Sequence, residues 1–422
     1  MTVAADMEER LLSPLFFRLL VPFGFAFFLG MFMGSINSLL APVMVETFDL
    51  SPADLGLVSS VNLIAFGLAQ LPLGVFLDRC GAKKTLAGML MIAFAGVLLF
   101  AAAQDRLSLA ASRALAGVGF SGSLMASFKS FTYWLPRKRL PLVFSIQSLI
   151  GGLGFVAATR PVAIALEYLS WRAFVMFCAG AVLVSVLVLA AVVPDDAPRQ
   201  KTRGGESFLK IFAGMLKLVK DKRFVYVAPV VTATEAVLFS FSYLWLGPWL
   251  RDVAMFGERS VGLMLLLSSA GIAAGYLLNG VLADLFARLN WLSWEKLYLC
   301  SGVIFTICLA AVALCGGPRT APLWAAVMFL STMAMIAFPI IGRLFEAEES
   351  GRVFALLNFV IFLAAFIVQW LFGVLLDFYP TAGGRFSPAG YQAGLCAILL
   401  LNAAAVAHLY ISIPKIEKLK KF

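Results

Sequence analysis

Charged side chains are scarce in this sequence. Asp, Glu, Lys and Arg together supply 13% of its 422 residues, while 62% are apolar. Soluble chains carry about twice that share of charge. A water-soluble globule is thereby excluded, because the buried fraction of a chain rises only slowly with size and no core of this length absorbs so much apolar surface. Histidine occurs once, as His408. The six cysteines are dispersed: Cys178, Cys300, Cys308 and Cys396 lie inside apolar runs, Cys315 ends one, and Cys80 sits in a basic turn. Neither a disulfide framework nor a paired metal-ligand spacing results. No His-Cys-Asp arrangement and no phosphate-cradling Walker loop is present, which counts against an enzyme and against an ATP-driven pump. No cofactor and no metal are expected.

What is present is chain that lipid must solvate, with a mean hydropathy of +0.95. The net charge of +10 is not gathered into a basic domain with interleaved aromatics, so nucleic acid is not an expected partner. The cations sit in short runs between apolar stretches, as in a polytopic membrane protein whose Lys and Arg set its orientation. Apolar runs long enough to cross about 30 Å of hydrocarbon at about 1.5 Å per residue number twelve. Their expected limits are 16–42, 54–77, 85–104, 108–134, 141–168, 172–193, 224–248, 260–285, 293–315, 322–344, 352–377 and 390–412. They lack period-2 alternation and are too long for barrel strands, so all are expected to be helices. The first run follows a leader with Asp6, Glu8, Glu9 and Arg10; it is too long for a signal-peptide core and is expected to be retained.

Alternate loops hold the cations: Arg79, Lys83 and Lys84; Arg137, Lys138 and Arg139; the stretch from Arg199 to Arg223; Arg288 and Lys296; and Lys415, Lys418, Lys420 and Lys421. By the positive-inside rule these loops and both termini are cytoplasmic. The one long polar interruption, Pro194 to Asp221, divides the spans six and six. The expected organisation is therefore an N-terminal half at 1–193, a linker at 194–222 and a C-terminal half at 223–422. From Phe208 the linker carries Lys210, Lys217 and Lys220 beside an apolar face, which fits an interfacial helix on the inner leaflet. A short pattern also recurs. Gly74-Val-Phe-Leu-Asp78 ends span two, Gly280-Val-Leu-Ala-Asp284 ends span eight, and Gly373-Val-Leu-Leu-Asp377 ends span eleven on the other side of the membrane. Inverted repeats within each half would place them so.

These residues resemble the major facilitator superfamily of secondary transporters. The loop after span two reads Gly74-Val-Phe-Leu-Asp78-Arg79-Cys-Gly81-Ala-Lys83-Lys84, similar to that family's Gly-x-x-x-Asp-Arg-x-Gly signature. Span four opens with Arg113-Ala-Leu-Ala-Gly117-Val-Gly119, and Trp171-Arg172 follows span five. Gln70-Leu-Pro72, Leu244 to Asp252, and Gly351 through Asn358 to Gln369 resemble a bacterial branch of nitrate/nitrite and organic-anion porters. The resemblance implies an all-α membrane protein of twelve helices in two six-helix halves, alternating access, and a place in a bacterial inner membrane. It also implies a cytoplasmic latch built on Gly74, Asp78, Arg79, Gly81, Lys83 and Lys84, which stabilises the outward-open state. Asp284 and Arg288 are its diminished counterpart.

Ionisable groups inside spans cost several kcal/mol unless paired or wet, so each is a candidate. Glu235 lies near the middle of span seven, where substrate and ion sites of transporters gather; it is the candidate for proton coupling, against a structurally paired Glu. Arg160, before Pro161, offers a forked cation to an anion or else snorkels outward beside Glu167. Arg113 is implied by the resemblance to act in coupling or substrate approach, or else snorkels to the interface. Lys129 either snorkels or faces the inner cavity, Arg343 joins Glu346, Glu348 and Glu349 in a surface network, and His408 is expected to be structural rather than a proton relay. Asn37, Asn62, Gln147, Asn358 and Gln369 are candidate substrate ligands or interhelical hydrogen bonders. The expected function is symport-type secondary transport of a small organic or inorganic anion with a proton, by a monomer whose partners are solute, proton and lipid. Two alternatives are a proton-driven exporter of amphipathic compounds, served by the 38 Phe and 15 Met, and a transport-inactive membrane sensor.

Overall fold

The structure, a computed structural model, describes residues 14–136, 139–195, 217–289, 292–380 and 385–419. Among these, ten helices are long and apolar enough to cross a membrane. Spans four and five complete the set as broken helices, Arg106–Phe120 with Ser123–Trp134 and Leu140–Ala157 with Arg160–Tyr168. The molecule is thus the expected all-α bundle of twelve spans in two halves of six. In lipid every backbone group must be satisfied within the protein, and helices do this segment by segment.

Local chemistry explains where the helices start and break. Ser51 with Asp54 and Asp105 with Ser108 form reciprocal capping boxes at the starts of spans two (Pro52–Cys80) and four. Ser170, Asp221 and Ser293 cap spans six (Trp171–Val192), seven (Lys222–Asp252) and nine (Trp294–Cys315). The Arg223 guanidinium also clamps Asp221, at 2.8 Å, and holds its carboxyl below the usual carboxylate range. Gly81 turns the chain between spans two and three (Ala82–Ala102) at φ +79°, the left-handed region that only glycine enters freely.

Prolines do more than bend. Pro161 cannot donate to Ala157, and span five bends by 42° between Leu142–Ala157 and Arg160–Tyr168. Pro229 leaves the Val225 carbonyl without its helical donor, and His408 Nε2 donates to that oxygen at 3.1 Å. The single histidine is therefore a structural tie between spans seven and twelve (Pro388–Leu419). Span seven also contains a π-helical turn, Phe241–Trp245, just before Pro248, a common way to absorb a missing amide at a working site.

Several spans differ in length from the hydropathy limits. Span one continues past residue 42 as Asn37–Phe48 after a break at Ile36, and span twelve runs to Leu419 rather than 412. Amphipathic ends keep the helix going after the hydropathy falls. Most of the expected interfacial helix, and the linker at 196–216, lie outside the described residues.

The start of span one meets the end of span six through Arg18 Nε and the Val192 carbonyl, 3.1 Å apart, and Lys83 after the Gly81 turn pairs with Asp195 at 3.1 Å. The start of span seven meets the ends of spans ten (Leu323–Gly342) and twelve through Arg223 to the Leu344 carbonyl, 3.0 Å, and Lys415 over the Tyr226 ring, 5.5 Å. These contacts define one face of the bundle, the basic face. Single cysteines at Lys84 and Lys418, in a background cleared of the six native ones, are expected to be labelled from one side of the membrane and one at Gln104 from the other. Labelling of Lys84 and Gln104 replacements from the same side would overturn this topology.

Candidate functional site

Spans two and eleven (Ala347–Asp377) form one seam between the halves, and spans five and eight (Glu258–Arg288) the other. Between the seams lies a cavity of about 770 Å³. Gly74 and Leu77 at the end of span two, and Gly351 and Phe354 at the start of span eleven, line it, so it reaches the basic face. A Cβ added to Gly74 or Gly351 would meet nothing within 4 Å. The halves are apart there.

On the opposite face they are shut. Gly247 of span seven packs its Cα against the Ser38 carbonyl and donates its N–H to Ser38 Oγ at 2.8 Å. Pro42 leaves that same Ser38 carbonyl without a helical donor, and Arg251 Nη1 donates to it at 3.2 Å while its other nitrogens hold Glu258 at 2.7 and 2.9 Å. Gly34 of span one leaves no room for a Cβ against the Tyr243 ring. Gly373 lies against the Pro52 carbonyl and Gly56 against the Gln369 carbonyl. A void of about 10 Å³, lined by hydroxyls including Ser35, Ser38 and Ser242, lies at this face, about the room one water needs.

Eight phenylalanines and three methionines make up much of the cavity wall. Neutral polar groups are few and come from several spans: Gln70, Ser145, Ser148, Tyr276, Asn279, Thr332 and Asn358. Among the described lining residues there is no Arg, Lys or His, and Glu235 is the one acid. Its side chain is fully buried and neither carboxyl oxygen has a hydrogen-bond partner. Burying a carboxyl unpartnered costs several kcal/mol, so this group is completed by a proton, a water or a donor on a bound solute.

Of the other residues singled out in the sequence, Gln70, Gly74, Gly351 and Asn358 line the cavity, and the remaining described candidates do not. Arg113 is 2% exposed and turns towards span three, its guanidinium 3.6 Å over the Phe100 ring, with Nε and Nη2 unpartnered. Arg160 reaches along the closed seam to the Arg259 carbonyl at 3.2 Å. Asn37 donates to the Gly34 carbonyl, Asn62 to the Arg113 carbonyl and Gln147 to the Phe23 carbonyl, at 3.2, 3.3 and 3.1 Å. Gln369 is buried at the closed face, where its carbonyl accepts from Trp245 Nε1 at 2.9 Å. The amides of Asn37, Asn62 and Gln147 thus tie helices in this conformation, while the side-chain amide of Gln369 is buried with neither Nε2 nor Oε1 partnered.

The loop signature is partly engaged within its own half. Asp78 pairs with Lys129 at 2.6 Å, which gives that lysine a partner instead of a snorkelling role. Arg79 and Lys84 are exposed. Arg343 stacks 3.5 Å over the Trp294 ring, a cation–π contact. Arg172 donates to the Ala101 and Ala103 carbonyls, 2.8 Å each, and pins the end of span three. The side chains of Asp284 and Arg288 lie outside the described residues.

Sequence reasoning missed Tyr276, Asn279 and Thr332. Asn279 Nδ2 donates to Thr332 Oγ1 at 2.7 Å across spans eight and ten, and its Oδ1 has no partner. The signal was available: Asn279 interrupts an apolar span as Asn62 does, and immediately precedes the second Gly-x-x-x-Asp copy.

Comparison with known proteins accords with this architecture. The family model of the Major Facilitator Superfamily matches residues 23–368. The Hexuronate transporter of Bacillus subtilis is 25% identical over 388 residues, 87% of this chain and 90% of that protein. A Cupriavidus necator protein named "Probable sulfoacetate transporter SauU" is 28% identical over 167 residues, 39% of this chain; the match spans 38% of that protein's length. Among solved structures, a bacterial homologue of the human lysosomal transporter Spinster, described as inward-facing and unoccupied, superposes with a TM-score of 0.74 at 15% identity, covering 96% of this chain and 98% of that one. Twelve helices in two halves around one central cavity, with a family match over most of its length, place this multi-pass membrane protein in the Major Facilitator Superfamily of transporters.

Proposed function

We propose that this protein is a proton-coupled secondary transporter of a small organic anion, with Glu235 as the residue that carries the coupling proton. One observation carries the reading: the only acid among the described lining residues is buried, unpartnered and set in a cavity wall without cations. The sign of coupling then follows from solute charge. An anion meets like charge when Glu235 is ionised, so it loads when Glu235 is protonated, and the two move together. The hexuronate transporter and the protein named "Probable sulfoacetate transporter SauU" among its relatives support an organic acid as the solute. The described wall offers a few neutral donors and no cation to a compact inorganic anion, and its phenylalanines suit a solute with an apolar body.

The same wall supports a second reading, export of amphipathic cations, since aromatic faces attract cations. Such a solute loads on ionised Glu235 and exchanges for a proton. Under either reading the basic face is cytoplasmic by the positive-inside rule. Both termini are then inside, the membrane is the bacterial inner membrane, and the conformation is inward-open. The protein works as a monomer, each chain holding a complete cavity.

Ligand-induced thermal stabilisation at about pH 5.5 and about pH 8.5 tests this, because binding to the folded state raises the melting temperature by mass action. An aromatic carboxylate such as benzoate is expected to stabilise more strongly at the lower pH, and a tetraphenylphosphonium cation at the higher. In Glu235→Gln both pH dependences should vanish. Stabilisation by the carboxylate that is equal at both pH values would sink the coupled-anion reading, and a pH dependence that survives in the Gln variant would move the proton away from Glu235.

A further inference from the structure

The third Gly-x-x-x-Asp copy, Gly373 to Asp377, contributes nothing to the cavity, yet it makes a specific polar contact between the halves. Span two starts at Ser51 with Pro52 next, which has no amide hydrogen. The Asp54 N–H is satisfied by Ser51 Oγ at 3.2 Å and the Leu55 N–H by the Ser51 carbonyl at 2.9 Å, both within span two's own cap. The Ala53 N–H has no such partner in its own helix. It donates across the seam to Asp377 Oδ2 at 3.1 Å, and the Ser51 hydroxyl donates to the same oxygen at 3.1 Å. The carboxylate of one half thus completes the helix cap of the other, at the end where a helix favours negative charge.

The glycines make this reach feasible. Gly373, one turn before Asp377, lies against the Pro52 carbonyl, and Gly56, one turn into span two, lies 2.9 Å in Cβ position from the Gln369 carbonyl. A side chain at either position would push the two helices apart and withdraw Asp377 from the cap. Asp377 itself is exposed, so water replaces its two donors when the seam parts, and the contact is cheap enough to reverse. At the other end of span two the same pattern is disengaged: Gly74 faces open space and Asp78 pairs with Lys129 of its own half.

We infer that Asp377 is a gating residue of the transport cycle, a removable cap on span two that holds the face opposite the basic loops shut while the cavity is open to the basic face. Its release accompanies the exchange to the other conformer, in which the Asp78 end of span two closes. The inference rests on alternating access and not on Glu235, so loss of proton coupling in a Glu235 variant leaves it standing.

Spin-label distances in the purified full-length protein in lipid nanodiscs test it. One pair, at Tyr168 and Leu314, reports the closed face; both side chains are well exposed, at 81% and 62%. A second pair, at the exposed Lys84 and Lys418, reports the basic face. In Asp377→Asn the Tyr168–Leu314 distance is expected to lengthen and the Lys84–Lys418 distance to shorten, with the population ratio moving about threefold to tenfold, as befits a charge-assisted contact at the surface. Asp78→Asn should move both pairs the other way. Ser51→Ala removes one donor from span two without touching span eleven and should shift the ratio in the same direction as Asp377→Asn, which keeps the test alive if the latter fails to fold. Unchanged distances in Asp377→Asn protein that melts like the parent would overturn the proposal. So would lengthening of both pairs together, the mark of general loosening, or, where Asp377→Asn does not fold, an unmoved ratio in Ser51→Ala.

Discussion

In Glu235→Gln, solute accumulation driven by a pH gradient is expected to fall at least about tenfold, while downhill exchange of solute for solute persists. Glutamine keeps the shape and much of the hydrogen-bonding capacity of the side chain but does not titrate. Glu235 sits in the wall of the cavity with neither oxygen partnered, so the substitution breaks no hydrogen bond or ion pair of the folded protein and the fold should tolerate it. The two transport modes are measured in vesicles and normalised to the amount of folded protein. A structural Glu would lower both modes in proportion. Uphill transport at the parental level in the Gln variant would remove this residue from the coupling mechanism. Glu235→Asp, which restores titration on a shorter stem, should recover part of the accumulation.

Gly247→Val is expected to block closure of the face opposite the basic loops and reduce transport in every mode at least about tenfold. The Gly247 Cα rests on the Ser38 carbonyl of the other half, with no room for even one added carbon. Overpacking a rigid core costs about 1–3 kcal/mol. In an alternating-access cycle this seam opens and closes, so the molecule would escape the clash by staying open there, and the same free energy would appear as a population shift of about fivefold to 150-fold. Thr159, 3% exposed beside the seam in the closed form, reports the change. A cysteine in its place should react readily with a polar maleimide in the Gly247→Val background and slowly in the parent. Continued protection in folded Gly247→Val protein would show that the seam closes around the larger side chain. Gly74→Val supplies the contrast. A Cβ there meets open space in this conformer, so that variant should be compatible with the conformer seen here and hinder the opposite one.

Both expectations draw on information of two kinds. The membrane class, the twelve helices and their division into two halves follow from the sequence, because hydropathy and length report how deep each residue sits along a helix. That depth was enough to place Glu235 near the middle of span seven and to single it out as an acid with an energetic cost to explain. The helix starts at Ser51 and Asp105, each three residues before the hydropathy limit, are set locally by side chains within three residues, as the Gly81 turn is by a positive φ.

Depth says nothing of rotation about the helix axis. Arg113 and Arg160 occupy plausible depths for an anion site, yet one guanidinium stacks on Phe100 in the interior of its own half and the other follows the closed seam to Arg259. A helix turns by about 100° per residue, and which side faces the cavity is decided by packing against neighbouring spans. The same packing brought Asn279 to Thr332 and Asp377 to the start of span two, pairs separated by 53 and 324 residues or more in sequence. The sequence by itself determined that this chain is a twelve-helix membrane protein of the transporter type with one costly acid in span seven. Only the tertiary structure decided that no described cation shares the cavity with that acid, and that the bundle is closed on one face and open on the other, because both depend on how the helices are rotated and how the two halves are tilted against each other.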